Sequence, residues 1–350
     1  MASSLPPLLS AAPPRGEPFS EPSVSGPPRR ACDTAPPMTS RQRALDAVQP
    51  RGRIGVEIGP LNRPLIRRDD GEILYADHRT TADLRTKYAT HPDVTGPDAA
   101  PLMEVDLVLE GRTLAEALGH RAPVDYIVAS HVMEHVADPI GWLGDMAASL
   151  REGGVLFLAV PDKRFTFDFR RAPSTTGDLV AHHLAGATTT SPAQIFEHTA
   201  RTASVDLVAI WAGAGREPPP LFDNQLVSAL RDARLVAETG TYFDAHCTVY
   251  TPVSFLAVFG ELIALDLIPF EIAAIAPTEH EQLQFYVSLR KRAAASPAER
   301  AAATPRLDLR RHHDLPEPPP PPPLGWRARV ALAWRVLRTG RSTQDAGAHR

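Results

Sequence analysis

Residues 124–139 read Val-Asp-Tyr-Ile-Val-Ala-Ser-His-Val-Met-Glu-His-Val-Ala-Asp-Pro, and residues 150–161 read Leu-Arg-Glu-Gly-Gly-Val-Leu-Phe-Leu-Ala-Val-Pro. Tyr126 to Ala129 is a short apolar run rich in β-forming residues, as a strand covered on both faces requires. Ser130 to His135 is abruptly polar. From Pro139 onward, Ile140, Leu143, Met146, Ala147 and Leu150 recur at helical spacing. Gly153-Gly154 reads as the helix stop, since glycine accepts the left-handed conformation there. Val155 to Val160 reads as a second buried strand. Strand, helix and strand in this order make a parallel pair joined by a right-handed crossover. Ligands in such sheets sit beyond the carboxyl ends of the strands. Ser130 and its neighbours lie at one such end, and Asp162, Lys163 and Arg164 at the next.

The same residues carry a resemblance. Asp125, Ser130, Glu134-His135-Val136, Asp138-Pro139 and the run from Leu150 through Gly154 to Pro161 resemble the fourth and fifth strands of class I S-adenosylmethionine-dependent methyltransferases. Upstream, Val56-Glu57-Ile58-Gly59-Pro60-Leu61-Asn62-Arg63-Pro64 matches the acidic end of the first strand and the start of its glycine turn. The second and third glycines of that turn are absent, and Pro60 fixes φ where the family is flexible. The variant turn is similar to that of a bacterial group of methyltransferase-like proteins with a Glu-Ile-Gly-Pro-Leu motif. The resemblance covers about residues 50–165 and 245–292.

What the resemblance implies is an α/β fold: a doubly wound, mostly parallel, seven-stranded Rossmann-like sheet with an antiparallel last strand and a helical insertion. It implies S-adenosyl-L-methionine as cofactor, with Glu57, Gly59, Asp77, Asp106 and Ser130 as its contacts. Asp77 ends the second strand, Ile73 to Ala76, where a carboxylate can accept both ribose hydroxyls. Asp106, within an expected third strand from Met103 to Val108, is the candidate for the adenine amino group. Each has a plainer reading: a strand–loop junction, a strand end, a solvent-facing aspartate.

Methyl transfer from a sulfonium is an in-line displacement in which alignment supplies most of the rate. A hydroxyl acceptor also needs a base, and histidine suits neutral pH. His131, Glu134 and His135 are therefore the catalytic candidates, with His246 within reach of the same mouth. Alternatively, Glu134 and His135 brace the helix that follows, where an acid near the start is stabilising. His131-Val-Met-Glu134-His135 also matches the His-x-x-Glu-His pattern of inverted zinc peptidases. That chemistry needs both histidines on one helix face and a third ligand. Here the motif follows a strand directly, so this is a remote alternative and no metal is assigned. A catalytically inactive binding module is the other competitor, suggested by the missing glycines.

Regular alternation stops after Pro161. Helical patterns near Gly177–Leu184, Pro192–Trp211 and Asn224–Glu238 read as a cap inserted at 163–245. Phe165, Phe167, Phe169, Trp211, Lys163 and Arg164 suggest a small-molecule or glycan acceptor, and the resemblance points first to a sugar hydroxyl. An amphipathic helix from Thr251 to Leu267 and two strands, Phe270 to Ile275 and Gln282 to Leu289, close the fold.

The flanks differ in kind. Proline crowds residues 1–40, which are expected to stay disordered, leaving 41–293 as the methyltransferase-like domain. A Pro-rich linker is expected over 294–323, with a stiff run from Pro318 to Pro323. Residues 324–350 read as a short basic amphipathic helix and tail. Its 324–339 portion is a candidate for peripheral membrane contact or for partner binding. A net charge of −4 argues against a dedicated nucleic-acid binder. Two distant cysteines, no signal-peptide pattern and no long apolar run suggest a cytoplasmic protein.

Overall fold

Short strands that are apolar on both faces build the sheet. The computed structural model describes residues 38–91, 94 and 100–307. Its strands are β1 (Ile54–Ile58), β2 (Glu72–Asp77), β3 (Leu107–Val108), β4 (Val124–Ser130), β5 (Leu150–Pro161), β6 (Phe270–Ala276) and β7 (Gln284–Lys291). They form one sheet in the order 3-2-1-4-5-7-6. β1 to β5 pair in parallel, while β7 runs antiparallel to both β5 and β6. This is the expected topology, antiparallel last strand included.

Alternation along each strand divides the core in two. α2 (Thr81–Lys87) follows β2, and Val56, Ile127, Leu156 and Leu158 face α3 (Leu114–Leu118), α4 (Pro139–Ser149) and α9 (Pro252–Ala264). Tyr75, Tyr126, Val128 and Phe157 face α1 (Ser40–Val48). Side chains set the helix starts. Thr39 and Gln42 form a reciprocal cap on α1, and Thr251 and Ser254 do so on α9. The Asp138 carboxylate accepts from Gly141 N–H at the start of α4, with Pro139 in the first turn. The strand order reverses between β1 and β4, which opens the crevice beyond their carboxyl ends.

One close approach is diagnostic of this packing. A Cβ added at Gly55 in β1 would lie 2.1 Å from ring atoms of the buried Tyr126. Gly55→Ala is therefore expected to lower stability by at least about 1–3 kcal/mol, the range for overpacking a filled core. Chemical denaturation checks this; an unchanged midpoint would contradict the β1–β4 contact.

Three expectations are corrected. Gly153-Gly154 does not stop a helix: α4 ends at Ser149 and both glycines lie inside β5. Gly153 there has φ +77°, and a Cβ on Gly154 would meet Arg151 O at 2.9 Å. The pairing with β4 shifts register between Val124 and Tyr126. The glycines thus carry an irregularity of the strand. The third strand is only Leu107–Val108, shorter than Met103 to Val108. The helical pattern over 192–211 divides into α6 (Pro192–Arg201) and α7 (Leu207–Trp211), because Ala203 leaves it to bridge Pro220.

The cap also contains α5 (Thr176–Leu184) and α8 (Gln225–Thr239), with Ile195, Val236 and Ala245 as its small core. His183 on α5 meets Asp138 at 2.9 Å, tying the cap to the start of α4. Past residue 293, the chain forms α10 (Pro297–Ala302), whose buried Arg300 bonds to Ala295 O and Asp266. The start of the expected linker is thus helical and docked. The N-terminal tail before residue 38, the proline run and the basic amphipathic segment lie outside the described residues. Among the described residues no helix is long and apolar enough to cross a membrane.

Candidate active site at the carboxyl ends of the strands

The crevice begins where β1 ends. Gly59 turns the chain with φ +65° and donates its N–H to Ala76 O at 2.8 Å. Its missing side chain keeps space open, since a Cβ would lie 3.3 Å from Val132 Cγ2. Leu61 also has positive φ, and Arg63 N–H bonds back to Pro60 O at 2.9 Å. One glycine and a Pro-Leu-Asn turn thus do the reversing that three glycines do in the pattern this stretch resembles.

Both oxygens of Glu57 are taken up within the protein: they accept from Leu65 N–H (2.8 Å) and Ile66 N–H (2.9 Å), holding the loop after the turn. Burial raises its pKa to about 7 in spite of those bonds and the Arg41 charge. The sign follows from linkage. The folded state holds this proton more tightly than the unfolded chain, so stability is lost as pH rises from about 4.5 to about 7. The full loss is about 3 kcal/mol at the conversion of 1.36 kcal/mol per pKa unit. Glu57→Gln removes the titration, so its stability relative to wild type should improve across that window. Thermal unfolding at pH 5 and pH 7.5 checks this; a constant difference would contradict it.

Asp77 ends β2 beside Gly59 and is 4% exposed. Its Oδ1 takes His78 N–H at 2.7 Å and lies 2.6 Å from His78 Nδ1. Among the described residues Oδ2 has no hydrogen bond, which leaves it available to a ribose hydroxyl. Asp106 is placed differently from expectation. It precedes β3, pairs with Arg68 at 2.8 Å and accepts Tyr75 N–H at 2.8 Å, two residues short of the carboxyl end of β2. The acid past the end of β3 is Glu110, at φ 39° and 70% exposed, 3.8 Å from Arg79. Leu109 N–H bonds to Asp77 O at 2.8 Å and brings this corner beside Asp77. The Glu110-Gly111 pair just after a short strand is the sequence signal for this corner, which the expectation of Asp106 passed over.

Ser130 is the last residue of β4, paired with Ala159. His131 follows with φ 54°, an uncommon conformation for a non-glycine residue and one that turns the chain sharply. Its Nε2 meets Gln284 Oε1 and its Nδ1 lies 3.4 Å from Glu134 Oε1. Met133–His135 is a single 3-10 turn, so the His-x-x-Glu-His pattern does not place its two histidines inside an α-helix.

That turn is clipped to a segment distant in the chain. Glu134 O accepts Cys247 N–H at 2.5 Å and Thr248 N–H at 3.3 Å. His246 is thereby brought against His135, ring centroids 4.8 Å apart and nearly perpendicular. Each imidazole has a carboxylate behind it: His135 Nδ1 meets Asp244 at 2.8 Å, and His246 Nδ1 meets Asp168 at 2.5 Å. A carboxylate only accepts, so each Nδ1–H donates to its acid and each ring presents Nε2 on its other side. The hydrogen bond from His135 holds Asp244 down at about 2. Burial would raise Asp168, but His246 and Arg171 outweigh it and keep Asp168 below the usual range. Arg171 pairs with Asp168 at 2.9 Å and donates to His246 O at 2.8 Å, locking the pair. His198, pushed to about 4 by burial and then by Arg171, stands beside them as a neutral ring.

Of the expected acceptor-side residues, Phe167 alone faces this cluster, its ring 4.6 Å from His246 and 5.8 Å from His198. Phe165 is buried on Trp211 at 4.3 Å. Lys163 donates to Phe169 O, and Arg164 forks onto Asp162. These two cations are structural. Cys247 is buried with its thiol pushed up to about 12 by desolvation, so it stays protonated. The sequence singles out His131, Glu134 and His135 and puts His246 within reach, but gives no mark for Asp168, Arg171, His198 or Asp244.

Residues 43–219, just over half of the chain, match the family model described as "Methyltransferase domain". No curated protein matches the sequence. Solved structures similar to this chain include an S-adenosylmethionine-dependent methyltransferase from Mesorhizobium loti (15% identity, 72% of this chain and 98% of that one, TM-score 0.34). Another is a SAM-dependent methyltransferase from Methanosarcina mazei (13%, 71% and 97%, TM-score 0.35). A third is titled as putative Zn-dependent alcohol dehydrogenases from Rhodobacter sphaeroides (14%, 73% and 90%, TM-score 0.39). At these scores the likenesses add nothing to the topology already described.

Proposed function

Because this chain belongs to the methyltransferase domain family, whose methyl donor is S-adenosylmethionine, we propose that it methylates a hydroxyl oxygen of a small, sugar-like acceptor. Membership makes it an enzyme, and the binding-module and zinc-hydrolase readings are set aside. The donor residues fit the cofactor: Asp77 keeps an oxygen open beside the Gly59 cradle, and Glu57 holds the adjoining loop. When bound, S-adenosylmethionine supplies a methyl group already activated on a positive sulfur.

The observation that carries the oxygen assignment is the convergence of Glu134, His135 and His246 just past β4. An alcohol is a poor nucleophile until its proton leaves. Two imidazoles backed by carboxylates make that departure cheap and fix the alcohol's position. The aromatic face of Phe167, 38% exposed beside these polar groups, suits a sugar ring with one apolar side. Incubation with S-adenosylmethionine and a panel of sugars, sugar nucleotides and polyols, followed by mass spectrometry, tests this. A one-methyl gain on a hydroxyl is expected. Transfer confined to amines or thiols would overturn the oxygen assignment.

A further inference from the structure

We propose that Glu134, His135 and His246 hold a divalent first-row transition cation, and that the acceptor hydroxyl completes its coordination. This rests on the reading above in placing the acceptor at this cluster, and it changes what activates the oxygen there. One ligand atom from each residue lies within 4.8 Å of the other two. Ligands 2.1 Å from a shared tetrahedral ion are about 3.4 Å apart, so a modest side-chain rotation closes the set. Two histidines and one carboxylate are a ligand set of catalytic zinc sites, which keep a further position open.

Three features separate this cluster from an ordinary polar interior. Glu134 is 2% exposed, and neither carboxylate oxygen has a hydrogen bond among the described residues. The nearest cation-forming group, His131 Nδ1, stands 3.4 Å from Oε1. A carboxylate removed from water without a hydrogen bond is costly, and a cation placed against it relieves that cost. Secondly, both histidines are oriented as ligation requires, with Nδ1–H on a carboxylate and Nε2 on the opposite edge of the ring. This carboxylate–histidine pairing is what orients imidazoles around metals. Thirdly, Asp168 is itself fixed by Arg171, and the 3-10 turn bearing Glu134 and His135 is clipped to the segment bearing His246. The ligands are preorganised by backbone and by outer partners.

With the cation in place, the two imidazoles are neutral ligands, and the positive charge lowers the pKa of the acceptor hydroxyl. Its proton passes to water. The O–C bond then forms as the S–C bond of the donor breaks, with the electron pair left on sulfur.

The test uses untagged full-length protein stripped with chelator and titrated with Co²⁺, read by visible absorption. One-to-one binding is expected, with bands of a nitrogen- and oxygen-ligated ion and no sulfur charge transfer. Glu134→Gln and His246→Ala should each weaken Co²⁺ by 100-fold or more. Asp168→Asn, which removes no ligand, should weaken it 10- to 100-fold. Methyl transfer should return on adding Zn²⁺ or Mn²⁺ to the stripped wild type. No stoichiometric Co²⁺ binding, or binding indifferent to all three variants, overturns the proposal. S-adenosylhomocysteine binding on the same samples separates the two readings. Cofactor binding without Co²⁺ binding leaves the methyltransferase and removes the cation. Co²⁺ binding without cofactor binding does the reverse.

Discussion

Asp77→Ala is expected to weaken S-adenosylhomocysteine binding by about 100-fold or more, with an unchanged circular dichroism spectrum. A buried carboxylate that accepts from ribose hydroxyls makes charge-assisted bonds, each worth about 1.5–3 kcal/mol. Two of them correspond to a factor of about 100 or more at 1.4 kcal/mol per tenfold. Asp77 is nearly buried and has Oδ2 without a partner among the described residues, so few native contacts are lost in the variant. Its Oδ1 bond to His78 is local. Calorimetric titration of both proteins measures the ratio. Equal affinities would mean that the ribose lies elsewhere.

His246→Ala is expected to reduce methyl transfer by about 10²–10⁴-fold while leaving cofactor affinity within about threefold, the range for losing a group that removes or eases removal of a proton. His246 stands on the acceptor side, held by Asp168 and facing His135 and Phe167, and it shares no hydrogen bond with Asp77 or the Gly59 turn. Loss of the ring should lower kcat more than it raises KM, because the contact matters most as the oxygen loses its proton. Single-turnover rates with saturating donor give the comparison. Asp168→Asn is the companion: it keeps the size of the side chain but no longer compels Nδ1–H, so a smaller loss of the same kind is expected.

The centre of the fold was legible because burial on both faces leaves a plain mark. Tyr126–Ala129 and Val155–Val160 are unbroken apolar runs, and both lie in the strands that flank the crevice. The end of β2 at Asp77 was legible for the same reason, as the first charge after such a run. Gly153-Gly154 misled because glycine signals positive φ without saying whether a helix end or a strand irregularity demands it. Asp106 misled because the third strand is two residues long, and an acid beside so short an element does not reveal which end it occupies. The acceptor side was only half legible. Glu134 and His135 stood next to a strand end, but Asp168, Asp244 and His246 come from the cap and its return. The backbone bond from Cys247 N–H to Glu134 O spans more than a hundred residues, and no local pattern predicts a contact of that range. Lys163 and Arg164 illustrate the converse. In the sequence they read as acceptor-side cations, yet Phe169 O and Asp162 take them up.

The central claim is that the crevice beyond β1 and β2 takes S-adenosylmethionine through a turn with one glycine. Calorimetric titration of the full-length wild type with S-adenosylhomocysteine tests it most directly. Micromolar binding at one site per chain is the predicted result. A folded protein that releases no heat, and shows no shift in melting temperature at millimolar S-adenosylhomocysteine, would contradict the account.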